Sequence, residues 1–151
     1  MEDRRWKIED GRWEIEDKMK FEELEAWQSA RKLTKQIYGL TQTPELARDF
    51  GLTGQIQRAS VSIMSNTAEG FERAHLQEKL QFYNVARSST AEVRSLLYVI
   101  EDNYSRCAGK AVELREQVVQ TGKLITGLIR STERRRPGKA ILQFLASLLS
   151  S

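Results

Sequence analysis

Cysteine and histidine are almost missing from this chain of 151 residues, which has only Cys107 and His75. A single thiol excludes an internal disulfide and a thiolate cluster around a metal. A single imidazole leaves a zinc site or a Ser-His-Asp triad almost nothing to work with. The expectation is therefore a protein without cofactor or metal, and not an enzyme. Proline and glycine are also scarce, at two and nine residues, which favours long helices over a turn-rich β fold. No apolar run approaches the roughly 20 residues of a membrane span, and the N-terminus lacks the apolar stretch of a signal peptide. The expected location is cytoplasmic.

What is present fits one helical domain. Charged residues make up 30% and hydrophobic residues 40% of the chain, and the length suffices for a real core. The formal charge of +3 is too small to imply nucleic-acid binding by itself, but its distribution is uneven. Residues 1–19 hold five basic and seven acidic side chains, and the segment from Lys110 to Lys139 holds eight basic and three acidic. The basic excess therefore sits late in the chain.

Three segments follow. Residues 1–19 contain a repeat, in which Arg5-Trp6-Lys7-Ile8-Glu9-Asp10 recurs as Arg12-Trp13-Glu14-Ile15-Glu16-Asp17. A shift of seven suggests a coiled-coil seam, but two copies with Gly11 between them fall short of one. The favoured reading is a poorly ordered extension, set against a partner-binding peptide with two tryptophan anchors. Residues 20–136 read as four helices. The first, about Phe21 to Leu40, carries Leu24, Trp27, Ala30, Leu33, Ile37 and Leu40 at spacings of three and four. A short turn of helix after Pro44 is expected to break at Gly51. The second long helix runs from Leu52 to about Glu72, the third from Leu76 to Asn103, and the fourth from Lys110 to Arg134. Residues 137–151 form a tail with a short apolar run from Ala140 to Leu149. That run docks on the bundle, lies at a membrane surface beside Arg134-Arg135-Arg136, or is a disordered end; docking or disorder is favoured. The fold class is all-α, an antiparallel up-down four-helix bundle with an N-terminal extension and an apolar C-terminal segment.

The second helix carries the most informative pattern. Arg58, Ser62, Asn66 and Glu69 recur at spacings of four, four and three, which stacks them on one face. Ser88, Ser89 and Glu92 echo that polar face on the third helix. The plain reading is a polar seam between packed helices, made by Ser62, Asn66, Glu69, Arg73, Ser89 and Glu92, which fixes register more than it adds stability. Asn66 and Glu69 are expected to hydrogen-bond across to the third helix or to a neighbouring subunit. Glu69 and Glu92 could imitate an acid/base pair, but an ion pair of Glu69 with Arg73 or Arg58 is simpler.

Asn66-Thr67-Ala68-Glu69-Gly70, preceded by Arg58-Ala59-Ser60-Val61-Ser62-Ile63, resembles the signature of the 23S rRNA-intervening-sequence proteins. Ala86-Arg87-Ser88-Ser89 with Glu92, and Phe21, Leu24, Trp27 and Ala30, extend the likeness from about Phe21 to Arg130. Thr67 stands where that family usually has Ile, and Met64 where it has Pro; the loop near Pro44 is altered. The resemblance implies a four-helix bundle that assembles as a homopentamer, with no established catalytic residues. It also implies a similarity to the accessory variability determinant of diversity-generating retroelements, which binds a reverse transcriptase and nucleic acid. By that analogy Arg58, Arg87, Lys123, Arg130, Arg134, Arg135 and Arg136 are the candidates for RNA or DNA contact, through phosphate rather than base. The alternative is a structural or protein-interaction module encoded in an rRNA intervening sequence, without nucleic-acid affinity. The mixed charge between Glu72 and Asn103, four basic and five acidic residues, points that way.

Overall fold

The computed structural model describes residues 5–9, 12–16, 19–135 and 137–150. The N-terminal repeat forms two antiparallel strands, β1 (Arg5–Glu9) and β2 (Arg12–Glu16). Their register pairs Trp6 with Ile15 and Ile8 with Trp13, and sets Arg5, Lys7 and Glu9 opposite Glu16, Glu14 and Arg12. By the two-residue period of a strand, the apolar and charged positions fall on alternate faces. A coiled-coil seam is therefore excluded for these residues. The sequence between the copies, Asp10-Gly11, is a strong hairpin signal.

From there the chain is helical. A single 3₁₀ turn (Phe21–Glu23) leads into α1 (Glu25–Thr41). The Phe21 and Trp27 rings meet edge-on at 5.2 Å. A short α2 (Pro44–Ala47) begins with proline at its first position, where the missing N–H would be unpaired anyway. The next helix, α3 (Phe50–Glu72), begins two residues before the expected Leu52 and includes Gly51. Asp49 overrides the glycine: its Oδ1 accepts from the Leu52 N–H at 3.1 Å, an N-cap that starts the helix ahead of Gly51. Its Oδ2 accepts from Tyr104 Oη at 2.8 Å, which ties this corner to the far end of the next helix. That helix, α4 (Leu76–Asn103), has the expected limits; α5 (Ala108–Arg134) and α6 (Pro137–Leu149) follow.

Four of these helices are long, and each packs on two others: α1 on α3 and α5, and α4 on α3 and α5. Contacts between α3 and α4, and between α4 and α5, run in opposite sequence order. Ser62 meets Ser89 and Gly70 meets Tyr83 between α3 and α4. Glu101 pairs with Arg115, and Thr90 approaches Gly122, between α4 and α5. Leu33, Ile37, Ile56, Ile63, Val93, Leu97, Leu114 and Ile125 fill the shared core.

Hydroxyls share that core. Thr67 Oγ1 donates to the Ile63 carbonyl at 2.7 Å, and Thr121 and Thr132 bond the Gln117 and Leu128 carbonyls in the same way. Thr34 Oγ1 reaches the Ala30 carbonyl at 2.8 Å and the Ser60 carbonyl of α3 at 3.1 Å. A hydroxyl that bonds a carbonyl one turn back can be buried at little cost, because no polar group is left unpaired. The apolar tail run forms α6. Leu142, Phe144, Leu145 and Leu149 on it are exposed, so these side chains do not dock on the bundle.

Candidate functional site

A basic groove lies between α4 and α5. Arg87, Ala91 and Arg94 follow a heptad-like spacing along α4, and Val119, Lys123, Thr126 and Arg130 do the same along α5. Because i, i+3, i+4 and i+7 positions share a helix face, each helix turns one row of cations toward the other. Thr90, Val118 and Gly122 form the floor of a concavity of about 470 Å³. Thr90 and Val118 are buried. A Cβ on Gly122 would stand 3.5 Å from Thr90 Oγ1, so the two helices come close at this point. Thr90 spends its own proton on the Arg87 carbonyl at 2.6 Å.

No Asp or Glu lines this groove. Among the described residues, Arg87, Arg94, Lys123 and Arg130 are in no ion pair. Arg73, Arg106, Lys110 and Arg115, by contrast, each face a carboxylate. Arg115 is held further by stacking over the Tyr98 ring at 3.9 Å. Four exposed cations of one sign along two helices make a field that attracts polyanions. Their reach along the groove suits successive phosphates rather than a small ligand.

The structure thus brings together three of the expected contact residues, Arg87, Lys123 and Arg130. Arg94 joins them without having been expected, although it lies seven residues after Arg87 on the same helix. Arg58 is on α3 and does not line the groove; its guanidinium lies against Gly54. Arg134 continues the α5 row past Arg130, with its Nε donating to the Arg130 carbonyl at 3.4 Å. Arg135 caps α5, where a cation is favoured by the helix dipole. Arg136 lies outside the described residues.

The expected polar seam divides into three separate parts. Ser89 Oγ donates to the Val85 carbonyl at 3.0 Å, so its single proton is used. Ser62 is then the donor in the 2.8 Å contact with Ser89, and Asn66 Nδ2 donates to Ser62 Oγ at 3.0 Å. This chain from Asn66 through Ser62 and Ser89 is one cross-helix link. Asn66 itself stays on its own helix, and it also bonds the Ser62 carbonyl at 2.9 Å. Glu69 pairs with Arg73 at 3.0 Å in an exposed i, i+4 bridge. It does not cross to α4, because Arg73 ends the same helix and is nearer. The Arg73 guanidinium covers the Phe82 ring at 4.6 Å. Glu92 accepts from Gln55 Nε2 of α3 at 3.5 Å. Glu69 lies near the Phe82 level of α4, so about ten residues, or roughly 15 Å of helix, separate it from Glu92. The two carboxylates line no common cleft and cannot act as an acid/base pair.

A further residue of the signature has a role that spacing alone did not reveal. Gly70 lies under the ring of Tyr83, and a Cβ there would stand 2.6 Å from Tyr83 Cε1. Burial of Tyr83 pushes its hydroxyl up to about 12, with Arg135 opposing the shift. Lys79 Nζ donates to the Phe71 carbonyl at 2.5 Å and so satisfies the end of α3. On the other flank of α4 is a second, shallower concavity of about 800 Å³, lined by Gln77, Gln81, Asn84, Val85, Ser88, Glu92 and Glu133. Its lining is amides, hydroxyls and acids, with none of the cations of the first groove. Among the described residues no group of His, Cys, Asp and Glu could hold a metal ion. No helix among them is long and apolar enough to cross a membrane.

Long helices around one core, with a cationic groove between two of them, define a helical-bundle protein. The chain belongs to the 23S rRNA-intervening sequence protein family, whose model matches residues 22–127. The match holds most of the groove and all of the signature. It leaves β1, β2, Arg130, the basic end of α5 and the whole of α6 outside. No curated protein matches the chain.

Proposed function

We propose that this protein is a non-enzymatic scaffold, an up-down four-helix bundle that assembles with copies of itself and binds RNA or DNA through the α4–α5 groove. The observation that carries the reading is the groove's four unpaired cations, Arg87, Arg94, Lys123 and Arg130, without a carboxylate among them. Contact would be to phosphate, so affinity would depend on salt more than on sequence. The pentameric ring and the reverse-transcriptase partner are carried over from the family resemblance. The uncharged and acidic flank of α4 around Val85 is the surface best suited to a neighbouring protein, since it would not repel one basic copy from another.

The test is fluorescence anisotropy with labelled single-stranded RNA and duplex DNA at two salt concentrations. Four phosphate contacts predict a log–log salt slope of about −3 to −4. Arg94→Glu with Lys123→Glu is expected to weaken binding at least tenfold at low salt. Absence of binding at low salt, or binding that survives the double variant, would sink the proposal. The second reading, a protein-interaction module without nucleic-acid affinity, would then rest on the polar flank lined by Gln81, Asn84, Ser88 and Glu92.

A further inference from the structure

The family match ends at Gly127, and α6 lies beyond it. This helix has a composition unlike the rest of the chain. Apolar residues stand at Ile141, Leu142, Phe144, Leu145, Leu148 and Leu149, an i, i+1, i+3, i+4, i+7, i+8 series that marks one broad helical face. Lys139, Gln143, Ser147 and Ser150 recur at spacings of four, four and three, the polar counterpart. Among the described residues of this face, Leu142 is 68% exposed, Phe144 64% and Leu149 89%. Exposed large apolar side chains in the bundle, such as Tyr38, Val61, Val85 and Val112, are spread over four helices. They offer no stripe of matching length.

Charge identifies the occupant. From Arg134 to the last residue the chain holds four cations, Arg134, Arg135, Arg136 and Lys139, and no Asp or Glu. Arg134 and Arg135 are exposed at the end of α5, immediately before α6. Basic residues next to an apolar helical face match an anionic lipid surface, where headgroups take the cations and the acyl boundary takes the leucines. Two α6 helices paired in parallel would bury the same leucines but set the two basic clusters side by side. At 13 residues the helix is about 20 Å long, and a bilayer span needs roughly 20 residues. It would lie in the interface rather than cross it.

We infer that α6, with the basic end of α5, is an amphipathic anchor that docks the bundle on anionic membrane surfaces. Docking uses residues outside the α4–α5 groove and leaves that groove open.

The experiment is co-sedimentation of the full chain with vesicles of phosphatidylcholine alone or with one quarter phosphatidylglycerol, at low and physiological salt. Binding is expected to the anionic vesicles, and at least tenfold more weakly to the neutral ones. Leu145→Glu with Leu149→Glu should reduce anionic binding at least tenfold, while the unchanged helical circular dichroism of the bundle reports intact folding. Arg134→Glu with Arg135→Glu should remove the preference for anionic vesicles. Arg94→Glu with Lys123→Glu should leave vesicle binding intact, which separates the anchor from the groove. No sedimentation with anionic vesicles overturns the inference, as does sedimentation that survives the leucine substitutions. So does a drop in oligomer mass for the leucine variant, by light scattering, in a protein that ignores vesicles; α6 would then be a contact between copies.

Discussion

Gly70 and Gly127 are both helical glycines, and the same substitution acts on them in opposite directions. At Gly70 a Cβ would stand 2.6 Å from the Tyr83 ring and 3.1 Å from the Lys79 carbonyl oxygen. Tyr83 is 1% exposed and has no room to retreat. Gly70→Ala is expected to lower stability by about 1–3 kcal/mol through overpacking. A Cβ at Gly127 would meet nothing within 4 Å beyond the adjoining backbone of its own helix, so Gly127→Ala should gain about 1 kcal/mol of helix propensity. Urea denaturation of the two variants measures both, and shifts of the same sign would contradict the geometry. Tyr83 adds a pH signature. Its hydroxyl is pushed up from 10.0 to about 12, so the folded state holds the proton more tightly than the unfolded one. The stabilisation is fully present below pH 10 and is lost as pH rises from 10 to 12. Stability of the wild type should fall more steeply across that window than that of Tyr83→Phe. Neither residue's importance was legible beforehand. Gly70 stands at the end of a helical pattern, where glycine already has a local explanation, and the ring that requires it arrives from thirteen residues away.

A short chain of hydrogen bonds through two hydroxyls crosses from α3 to α4. Ser89→Ala removes the acceptor of Ser62 and should cost about 1 kcal/mol. Ser62→Ala should cost a similar amount, because Asn66 loses an acceptor. The double variant should cost less than the two together, since both single changes break the same Ser62–Ser89 bond, and a double-mutant cycle by chemical denaturation checks this. Elements were easier to read than their contacts. The limits of α4 follow from its apolar period, and the end of α1 from Pro44 and the residues before it. Spacing also placed Ser62, Asn66 and Glu69 on one face. It offered Glu69 both a partner across the interface and an ion pair with Arg73 or Arg58, and the i+4 partner Arg73 is the one it meets. Thr121 escaped notice, and Thr67 was seen only as a departure from the family's Ile, for a related reason. Hydropathy treats threonine as polar, whereas a hydroxyl bonded to its own helix packs like a small apolar group. The basic row on α5 was visible as composition; that Arg94 completes it required the approach of α4 at Gly122.

At the scale of the whole molecule, charge is segregated by surface. Cations line the groove and the end of α5, while Glu45, Glu69, Glu101 and Glu113 each face a cation elsewhere. If copies assemble through the polar flank of α4, Val85→Glu should reduce the assembly. Val85 is 44% exposed, so the bundle itself should stay folded. Multi-angle light scattering is expected to give several times the mass of one chain for the wild type and a smaller mass for the variant. A wild-type monomer would remove assembly from the proposed function and leave the groove to act alone. The family match covers the bundle alone, so the two ends of the chain were readable only from their own residues. The tail was legible as an apolar run beside a basic cluster, and docking or disorder was favoured for it because no partner for an apolar face outside the bundle was in view. The N-terminal repeat was measured by its shift of seven, which drew attention from the two-residue alternation inside each copy.

That repeat has a consequence for its own divergence. When a five-residue unit folds back on its duplicate, the first position of one copy meets the last of the other, and only the central position meets itself. Reversal therefore makes Arg-Trp-x-Ile-Glu complementary at every place except the middle: Arg5 answers Glu16, and Trp6 answers Ile15. An unaltered duplicate would put two identical side chains at the centre, and for lysine or glutamate that is a like-charge clash. Across these strands the copies differ at one place, and it is this one, Lys7 against Glu14. The substitution also guards the alignment. Sliding one strand by two residues keeps the same faces together but sets Lys7 against Arg12 in one direction and Glu9 against Glu14 in the other.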